Sequence, residues 1–372
     1  MFTKFSRKDY NFKLVILLLI AIIFGTVVID SADSSFTTKR IVGAVVGLIL
    51  MFFVSFINYE FVCKFYVILY GINIVMLILV LLFGVEVNNA TRWIMIGGAG
   101  GVQFQPSEFT KIFMIIFIAT LLDKFEQRSS INSFRCLLMF IVTVGATLLL
   151  IVSEPDLSTT ICLTLVLVTM LYLAGLSYKI IGIGILILIP LVGSFLWYIQ
   201  QPNQVLLQDY QVSRIMQFIF PDQYGTEFSQ QNNSIMAIGS GQLTGKGLNT
   251  STMATVKDAN FISEQQTDFI FSVVGEELGF VGSVFIIAII LLIVLQCIKI
   301  AREAKDTKGM LIASGIGLLI GYQSFINIAV ATGVLPNTGI PLPFISYGLS
   351  SLISLLIGIG VVLNISIQKS KY

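Results

Sequence analysis

Six charged side chains stand out in this chain because they lie at the edges of long apolar runs, where a charge is costly to bury. They are Arg92, Glu108, Lys111, Glu154, Asp156 and Asp268. Carboxylates in such places can transfer protons, and arginine and lysine can bind anionic oxygens. All six charged side chains lie around one long polar segment. This grouping indicates a functional site. The alternative is that they pair with each other and only hold helices together.

The local sequence places several of these groups on defined elements. Pro106 predicts a helix start, and Glu108 falls in the first turn, where the helix dipole favours an anion. Lys111 follows at i,i+3, on the same face and about 4.5 Å deeper. Glu154 and Asp156 flank a proline in a tight turn between two apolar runs.

Two glycine patterns need separate interpretations. The run 239–247 does not match a phosphate-binding loop, because the first glycine of that motif is missing and Gly247 replaces the required Ser or Thr. We expect a turn-rich loop here, with close approach to an anionic headgroup as the alternative. Gly275 and Gly279 flank Glu276 and Glu277 at a small-xxx-small spacing, which predicts helix–helix packing.

The composition indicates that the elements carrying these residues are membrane helices. Hydrophobic residues make up 56% of the 372 positions and charged residues 11%, against roughly a quarter charged in soluble proteins. The net charge of +2 gives no indication of nucleic-acid binding. The chain has no histidine, and its four cysteines stand singly, so neither a zinc site nor a disulfide framework is expected.

An all-α polytopic membrane protein of about ten transmembrane helices follows from the apolar runs, since about 20 residues cross a bilayer. The predicted spans are 12–29, 41–57, 61–85, 108–122, 134–152, 157–175, 179–199, 268–298, 309–331 and 346–367. They form one membrane domain, 1–372, with a long loop at about 200–267. Within that loop, 205–219 has helical apolar spacing, which predicts an interfacial helix or one packed on the bundle.

Charge asymmetry predicts the orientation. With the N-terminus in the cytoplasm, 15 of the 22 Lys and Arg residues lie on the cytoplasmic side. The outer side then holds 14 of the 20 acidic residues. We therefore expect both termini to be cytoplasmic and the long loop to be extracellular.

Taken in order, six segments resemble the SEDS family (RodA, FtsW and SpoVE) of the bacterial cell membrane. The segments are 92–97 (RWIMIG), 105–111 (QPSEFTK), 154–158 (EPDLS), 237–241 (AIGSG), 267–279 (TDFIFSVVGEELG) and 338–348 (TGIPLPFISYG). The chain departs from the family pattern at Gln266, where a histidine is usual, and at Leu349, where a glycine is usual. The segment 338–348 is more similar to the RodA branch.

The resemblance implies a peptidoglycan glycosyltransferase that polymerises lipid II into β-1,4 glycan strands on an undecaprenyl-pyrophosphate carrier during cell-wall elongation. It implies Asp268 as general base. Candidate substrate-binding residues are Arg92, Trp93, Glu108, Lys111, Glu154 and Asp156. Among them, Arg92 and Lys111 would hold the pyrophosphate, and Glu108 would orient Lys111. Trp93 would stack on a sugar or anchor at the interface, and a divalent cation, Mg²⁺ or Mn²⁺, could assist.

The expected partners are a class B penicillin-binding protein and other membrane proteins of the elongation complex. Two further hypotheses stay open: a lipid II flippase, and a non-catalytic scaffold. A FtsW- or SpoVE-type polymerase of division or sporulation is the alternative within the family. A flippase predicts charges along the whole transmembrane path, whereas the charges here gather at one end, with Glu276 and Glu277 the deeper exceptions.

The orientation can be tested with topology reporters. Fusions after Lys371 and within 123–133 should report a cytoplasmic location, and an insertion near Asn249 should report an external one, because the basic residues are retained inside. A cytoplasmic signal at Asn249 would reverse the orientation and the side on which the site lies.

Overall fold

The fold is a bundle of long helices with one small sheet. The computed structural model describes residues 9–87, 90–96, 102–201, 204, 212–213, 215–216, 219–220, 230–249 and 265–368. Its elements are α1 (Phe12–Ala32), α2 (Thr37–Phe56), α3 (Tyr59–Lys64), α4 (Tyr66–Phe83), β1 (Val85–Val87), β2 (Ala90–Ile96), β3 (Val102–Phe104), α5 (Pro106–Arg128), α6 (Phe134–Ser153), α7 (Leu157–Leu173), α8 (Tyr178–Tyr198), α9 (Gln230–Ser240), α10 (Ile270–Arg302), α11 (Thr307–Ala331) and α12 (Leu349–Ile367).

Eight of the described helices are long and apolar enough to cross a membrane, so the chain is a multi-pass membrane protein. They are α1, α2, α4, α6, α8, α10, α11 and α12. The other two predicted spans coincide with α5, which carries charged residues at both ends, and α7, which has only 17 residues. For these two helices, crossing the bilayer stays a prediction. At the centre of the bundle are α11 and α12, which are 72% and 83% buried over their most apolar stretches.

Short connections and side-chain caps make successive long helices antiparallel. Asn11, Ser133, Asp156 and Asp306 each cap a helix by accepting a backbone N–H three residues on, which satisfies a donor that the first turn leaves free. The described residues within the connections 33–36, 84–105, 154–156, 199–269 and 332–348 therefore share one end of the bundle, called here the site end.

The fold is mostly helical, as predicted, but two details of the prediction need correction. The connection after α4 is not a plain loop: β1, β2 and β3 form an antiparallel sheet in that order, with Val85 opposite Trp93 and Ile94 opposite Phe104. Its β-branched and aromatic residues suit strands. The third predicted span, 61–85, is divided at Phe65 into α3 and α4.

Small-xxx-small packing occurs between α2 and α12, and of the predicted pair Gly275 makes a close helix contact, since a Cβ on it would lie 2.8 Å from the Ile238 side chain of α9. Gly43 and Gly47, one turn apart on α2, lie against Leu349 and Leu356 of α12, and a Cβ on Gly47 would come within 2.6 Å of the Leu356 side chain. Gly279, by contrast, has φ +63° and ψ −158° and interrupts α10. The predicted helix–helix contact at Gly279 is therefore wrong, because that residue is not in a helical conformation.

Arg40 of α2 is fully buried and supports the irregular segment 338–348. Its guanidinium donates to the carbonyls of Phe344 and Ser346, the latter at 2.9 Å. Nearby, α1 approaches the same segment so closely that a Cβ on Gly25 would lie 2.7 Å from the Cα of Ile345. Because irregular backbone at membrane depth must be satisfied by protein, Arg40 replaces the hydrogen bonds that a helix would supply.

Replacement of Arg40 by methionine should destabilise the protein. Each carbonyl left without its donor costs about 1–3 kcal/mol when buried. Thermal unfolding in detergent would measure the loss, and Lys39→Met, at the exposed neighbouring position, is the matched control. Equal melting temperatures for the two variants would show that Arg40 does not support the segment.

Candidate functional site

The segment 338–348 connects the charged groups at the site end. Ser158, in the first turn of α7, donates to the carbonyl of Thr338. Two amide side chains of α11 reach the same segment: Gln323 donates to Pro341 O at 3.0 Å and Asn327 to Ile340 O at 2.7 Å. The segment thereby lies between α7, α11 and the chain that precedes α10.

Asp268 lies two residues before the start of α10 and is half-buried. Asn327 donates to its carbonyl at 2.7 Å, and the Ser346 hydroxyl donates to the adjacent Thr267 carbonyl at 2.6 Å. A Cβ on Gly339 would lie 3.2 Å from Asp268 Oδ2, and Gly339 has φ +76°. Glycine is therefore required at 339, and the carboxylate is held against the backbone of the segment 338–348.

Lys111 and Glu108 of α5 form a buried ion pair, with 2.8 Å between Nζ and Oε1. Both side chains are under 5% exposed. Lys111 also donates to Gln323 Oε1 at 3.2 Å, and Gln323 and Asn327 stand one helical turn apart on α11. The Lys111 ammonium is thus linked through α11 to the backbone that carries Asp268. The pairing predicted from the i,i+3 spacing is present.

Arg92 extends from β2 to the turn between α6 and α7. Its guanidinium donates to the carbonyls of Glu154, at 3.2 Å, and Pro155, and it lies 3.7 Å from Asp156 Oδ1. Asp156 caps α7 by accepting from the Thr159 N–H at 3.1 Å and hydroxyl at 2.9 Å. The structure therefore brings Arg92, Glu154 and Asp156 together. Trp93, the next residue of β2, is half-buried.

Glu154 is a fully buried carboxyl group at this turn. Neither of its side-chain oxygens has a hydrogen-bond partner among the described residues. Burial raises the pKa of Glu154 to about 9, and the neighbouring Asp156 carboxylate acts in the same direction, while Arg92 opposes them. Glu154 is therefore uncharged at pH 7.

Sequence reasoning missed four side chains that organise this site: Arg40, Ser158, Gln323 and Asn327. The sequence could have indicated two of them. Gln323 and Asn327 are polar residues four positions apart within an apolar span, which is typical of functional side chains. Among the described residues, no three or more Cys, Asp or Glu side chains form a group that could hold a metal ion. The described residues therefore do not identify ligands for the divalent cation that the sequence analysis considered, and its presence stays a prediction.

The glycine-rich run 239–247 ends α9 and forms a turn, as predicted. The alternative prediction was an anion bound by the backbone N–H groups of this run. Few of these N–H groups are available, because three of them bond to carbonyls of the protein. The N–H groups of Gly245, Lys246 and Gly247 donate to the carbonyls of Gly241, Glu276 and Glu277 at 2.8, 3.0 and 2.9 Å. The predicted interfacial helix at 205–219 lies largely outside the described residues.

The helix bundle, with eight described helices able to cross a membrane, and the charges gathered at its site end define a polytopic membrane protein with a polar site at one end of the bundle. A family model described as the FtsW/RodA/SpoVE cell cycle proteins matches residues 10–371. The chain belongs to this family.

Curated relatives support the assignment over nearly the whole chain. Stage V sporulation protein E of Bacillus subtilis is 36% identical, with 100% of both chains covered. The peptidoglycan glycosyltransferase MrdB of Escherichia coli K12 is 33% identical over 95% of this chain and 92% of that protein. A probable peptidoglycan glycosyltransferase FtsW of Trichlorobacter lovleyi is 33% identical over 97% of this chain and 94% of that protein.

Solved structures show the same fold. A chain from a structure concerned with polymerization and crosslinking by a peptidoglycan synthase complex superposes with a TM-score of 0.80 at 27% identity, covering 98% of this chain and 99% of that one. The rod shape determining protein RodA of Thermus thermophilus superposes with a TM-score of 0.70 at 24% identity, covering 98% of both chains.

Because the pKa of Glu154 is raised in the folded protein, the stability of the protein should depend on pH. A carboxyl group that is neutral in the folded protein but ionises near 4.5 when unfolded contributes stability fully below pH 4.5 and loses it as pH rises through about 9. The wild type should therefore lose melting temperature between pH 5 and 9 relative to Glu154→Gln, measured in detergent. A difference between the two proteins that does not change with pH would contradict the neutral state.

Proposed function

We propose that this protein is a peptidoglycan glycosyltransferase that polymerises lipid II into β-1,4 glycan strands. The names of two of its relatives, MrdB of Escherichia coli and FtsW of Trichlorobacter lovleyi, support the activity. The single structural observation that carries the site assignment is the placement of Asp268. Its backbone is linked through Asn327, Gln323 and the segment 338–348 to Lys111, so a carboxylate and a cation both lie at the site end.

In the proposed reaction, the Asp268 carboxylate takes the proton of the acceptor's 4-hydroxyl as that oxygen attacks C1 of the donor sugar. The C1–oxygen bond to the pyrophosphate breaks, and the lipid pyrophosphate leaves with both electrons. Because the leaving group is good, one displacement with inversion suffices and a second catalytic carboxylate is not required. Contact with Gly339 places the Asp268 carboxylate at the edge of the segment 338–348, partly shielded from water.

Arg92 and Lys111 are proposed to stabilise the departing pyrophosphate. Lys111 is buried and paired with Glu108, so it would act without direct contact and with its charge largely balanced by that carboxylate. Arg92 is 19% exposed and is the more accessible of the two cations. Glu108 would fix the position of Lys111. The buried turn of Glu154 and Asp156 would hold Arg92, and the half-buried Trp93 would line the donor side. The described residues form no metal ligand set, so no step is assigned to a cation.

A transpeptidase is the proposed partner, and specifically a class B penicillin-binding protein. The support is the similarity to a chain from a peptidoglycan synthase complex that couples polymerization and crosslinking. An elongation role is proposed from the RodA-like sequence of 338–348. The flippase hypothesis is not favoured, because Glu276 and Glu277, the deeper charges that could have marked a path, are bonded to Lys246 and Ser31 at the site end.

Asp268→Asn tests the proposed base, because it preserves size while removing the basic oxygen. Loss of a general base should lower glycan synthesis from purified lipid II by about 10²–10⁴-fold. Binding of lipid II and the melting temperature should be retained. Gel analysis of glycan chains would measure the product, and the exposed Asp30→Asn at the same end is the matched control. Full activity in Asp268→Asn would remove Asp268 as the base, and no product from the wild type would reject the glycosyltransferase function.

A further inference from the structure

The backbone of α10 is interrupted at Gly279, and a turn from the preceding loop fills the interruption. A regular helix would join the N–H groups of Phe280 and Val281 to the carbonyls of Glu276 and Glu277. Instead, Phe280 and Val281 donate to the carbonyls of Gln242 and Leu243 at 2.9 and 3.2 Å. The carbonyls of Glu276 and Glu277 in turn accept from Lys246 and Gly247. Residues 241–247, called here the inserted turn, thus replace the two lost helix bonds with four of their own.

Glycines make this insertion possible. Gly279 has a backbone conformation that is essentially restricted to glycine. Gly245, with φ +78°, lies so close to α10 that a Cβ would overlap the Glu277 carbonyl, and a Cβ on Gly241 would overlap the Gly275 carbonyl. Gly239, two residues before the inserted turn, has open space around its Cβ position. The close fit therefore belongs to the inserted turn and not to the whole glycine-rich run.

Buried polar side chains hold the inserted turn in place. Lys246 Nζ lies 2.7 Å from Glu276 Oε1, and the Glu276 side chain is 1% exposed. On the next residue, the Glu277 carboxylate accepts from the Ser31 hydroxyl at 2.6 and 2.7 Å. The same Ser31 oxygen accepts from the Asn249 N–H at 3.2 Å. The inserted turn, α10 and the end of α1 are therefore fastened together at one point.

This arrangement separates the residues that carry Asp268 from the rest of α10. Residues 265–278 lie before the interruption and are attached to the site end through Gln265, Thr267 and the Asp268 carbonyl. Residues 280–302 lie beyond it and form the apolar membrane stretch. Because Gly279 is not in a helical conformation, the four backbone hydrogen bonds of the inserted turn join the two parts at this level in place of regular helix bonds.

We propose that the inserted turn positions the catalytic aspartate: Lys246 and Gly245, through Glu276 and Glu277, set where residues 265–278 stand relative to α1 and so where Asp268 meets the acceptor hydroxyl. The inference rests on the proposed glycosyltransferase function. Lys246, Gly245 and Ser31 are positioning residues, since each acts on the segment that carries Asp268 and none has a role in the reaction itself.

Two variants of the inserted turn test the inference, Gly245→Ala and Lys246→Met. A misplacement of about 1 Å can cost about a hundredfold in rate, so we expect kcat for glycan synthesis to fall by about ten- to a hundredfold. The KM for lipid II should stay within about twofold, because the groups proposed to hold the pyrophosphate are untouched. Lys246→Arg should restore most of kcat by keeping the ion pair, and Gly239→Ala should equal the wild type.

Hydrogen exchange by mass spectrometry gives a second measurement that does not depend on catalysis. In Gly245→Ala and Lys246→Met, amides of 265–278 should exchange at least about tenfold faster than in the wild type, while 285–300 should be unchanged, since local opening follows local contacts. If Gly245→Ala does not fold, the Lys246→Met and Lys246→Arg pair carries the comparison.

The positioning role of the inserted turn and the proposed glycosyltransferase function would be contradicted by different results. Unchanged exchange in 265–278, or faster exchange spread evenly over α10, would overturn the positioning role, as would normal kcat in both variants. A fall in kcat shared by Gly239→Ala would also count against it. A wild type that makes no glycan would reject the proposed function alone, because the exchange measurement would still decide whether the inserted turn holds residues 265–278.

Discussion

Backbone hydrogen bonding in a medium without water is the constraint on which this structure depends. A helix that crosses a bilayer satisfies its own polar groups, but every irregular stretch at membrane depth needs donors and acceptors from elsewhere in the protein. The segment 338–348 obtains them from Arg40, Gln323 and Asn327. The interruption at Gly279 obtains them from the backbone of residues 242–247. The polar side chains inside the bundle thus lie next to the stretches in which the backbone is not helical.

Much of the fold could be predicted from the sequence because each span is a long apolar run between polar connections. Pro106 marked the start of α5 correctly, and the predicted spans differ from the helices by a few residues at most of their ends. The sheet of β1–β3 was missed because β1 and β3 have only three residues each and the hydrogen-bond partners of the strands become clear only after pairing. Gly279 was misinterpreted because two glycines at a spacing of four suit either a helix contact or an interruption.

The site could be predicted in part, for reasons of sequence distance. The Glu108–Lys111 pair is local, so its spacing was sufficient. The approach of Arg92 to Asp156 spans the whole of α5 and α6, and no local pattern indicates it. Arg40 stands more than 300 residues from the carbonyls that it binds, so its role could not be inferred from neighbours in the chain. The roles of the site residues in the reaction stay predictions.

The composition of α5 has a consequence for how the protein enters the membrane during synthesis. This helix bears Glu108 and Lys111 near one end and Asp123 near the other, and it is not among the eight helices that are apolar enough to insert on their own composition. Phe117 of α5 stacks on Tyr70 of α4, with 4.5 Å between ring centroids. Because α4 is made first, it can offer α5 a protein surface as the new helix leaves the translocon. Insertion of α5 is therefore expected to be a cooperative step with its neighbours, in which the Glu108–Lys111 pair enters as one neutral unit.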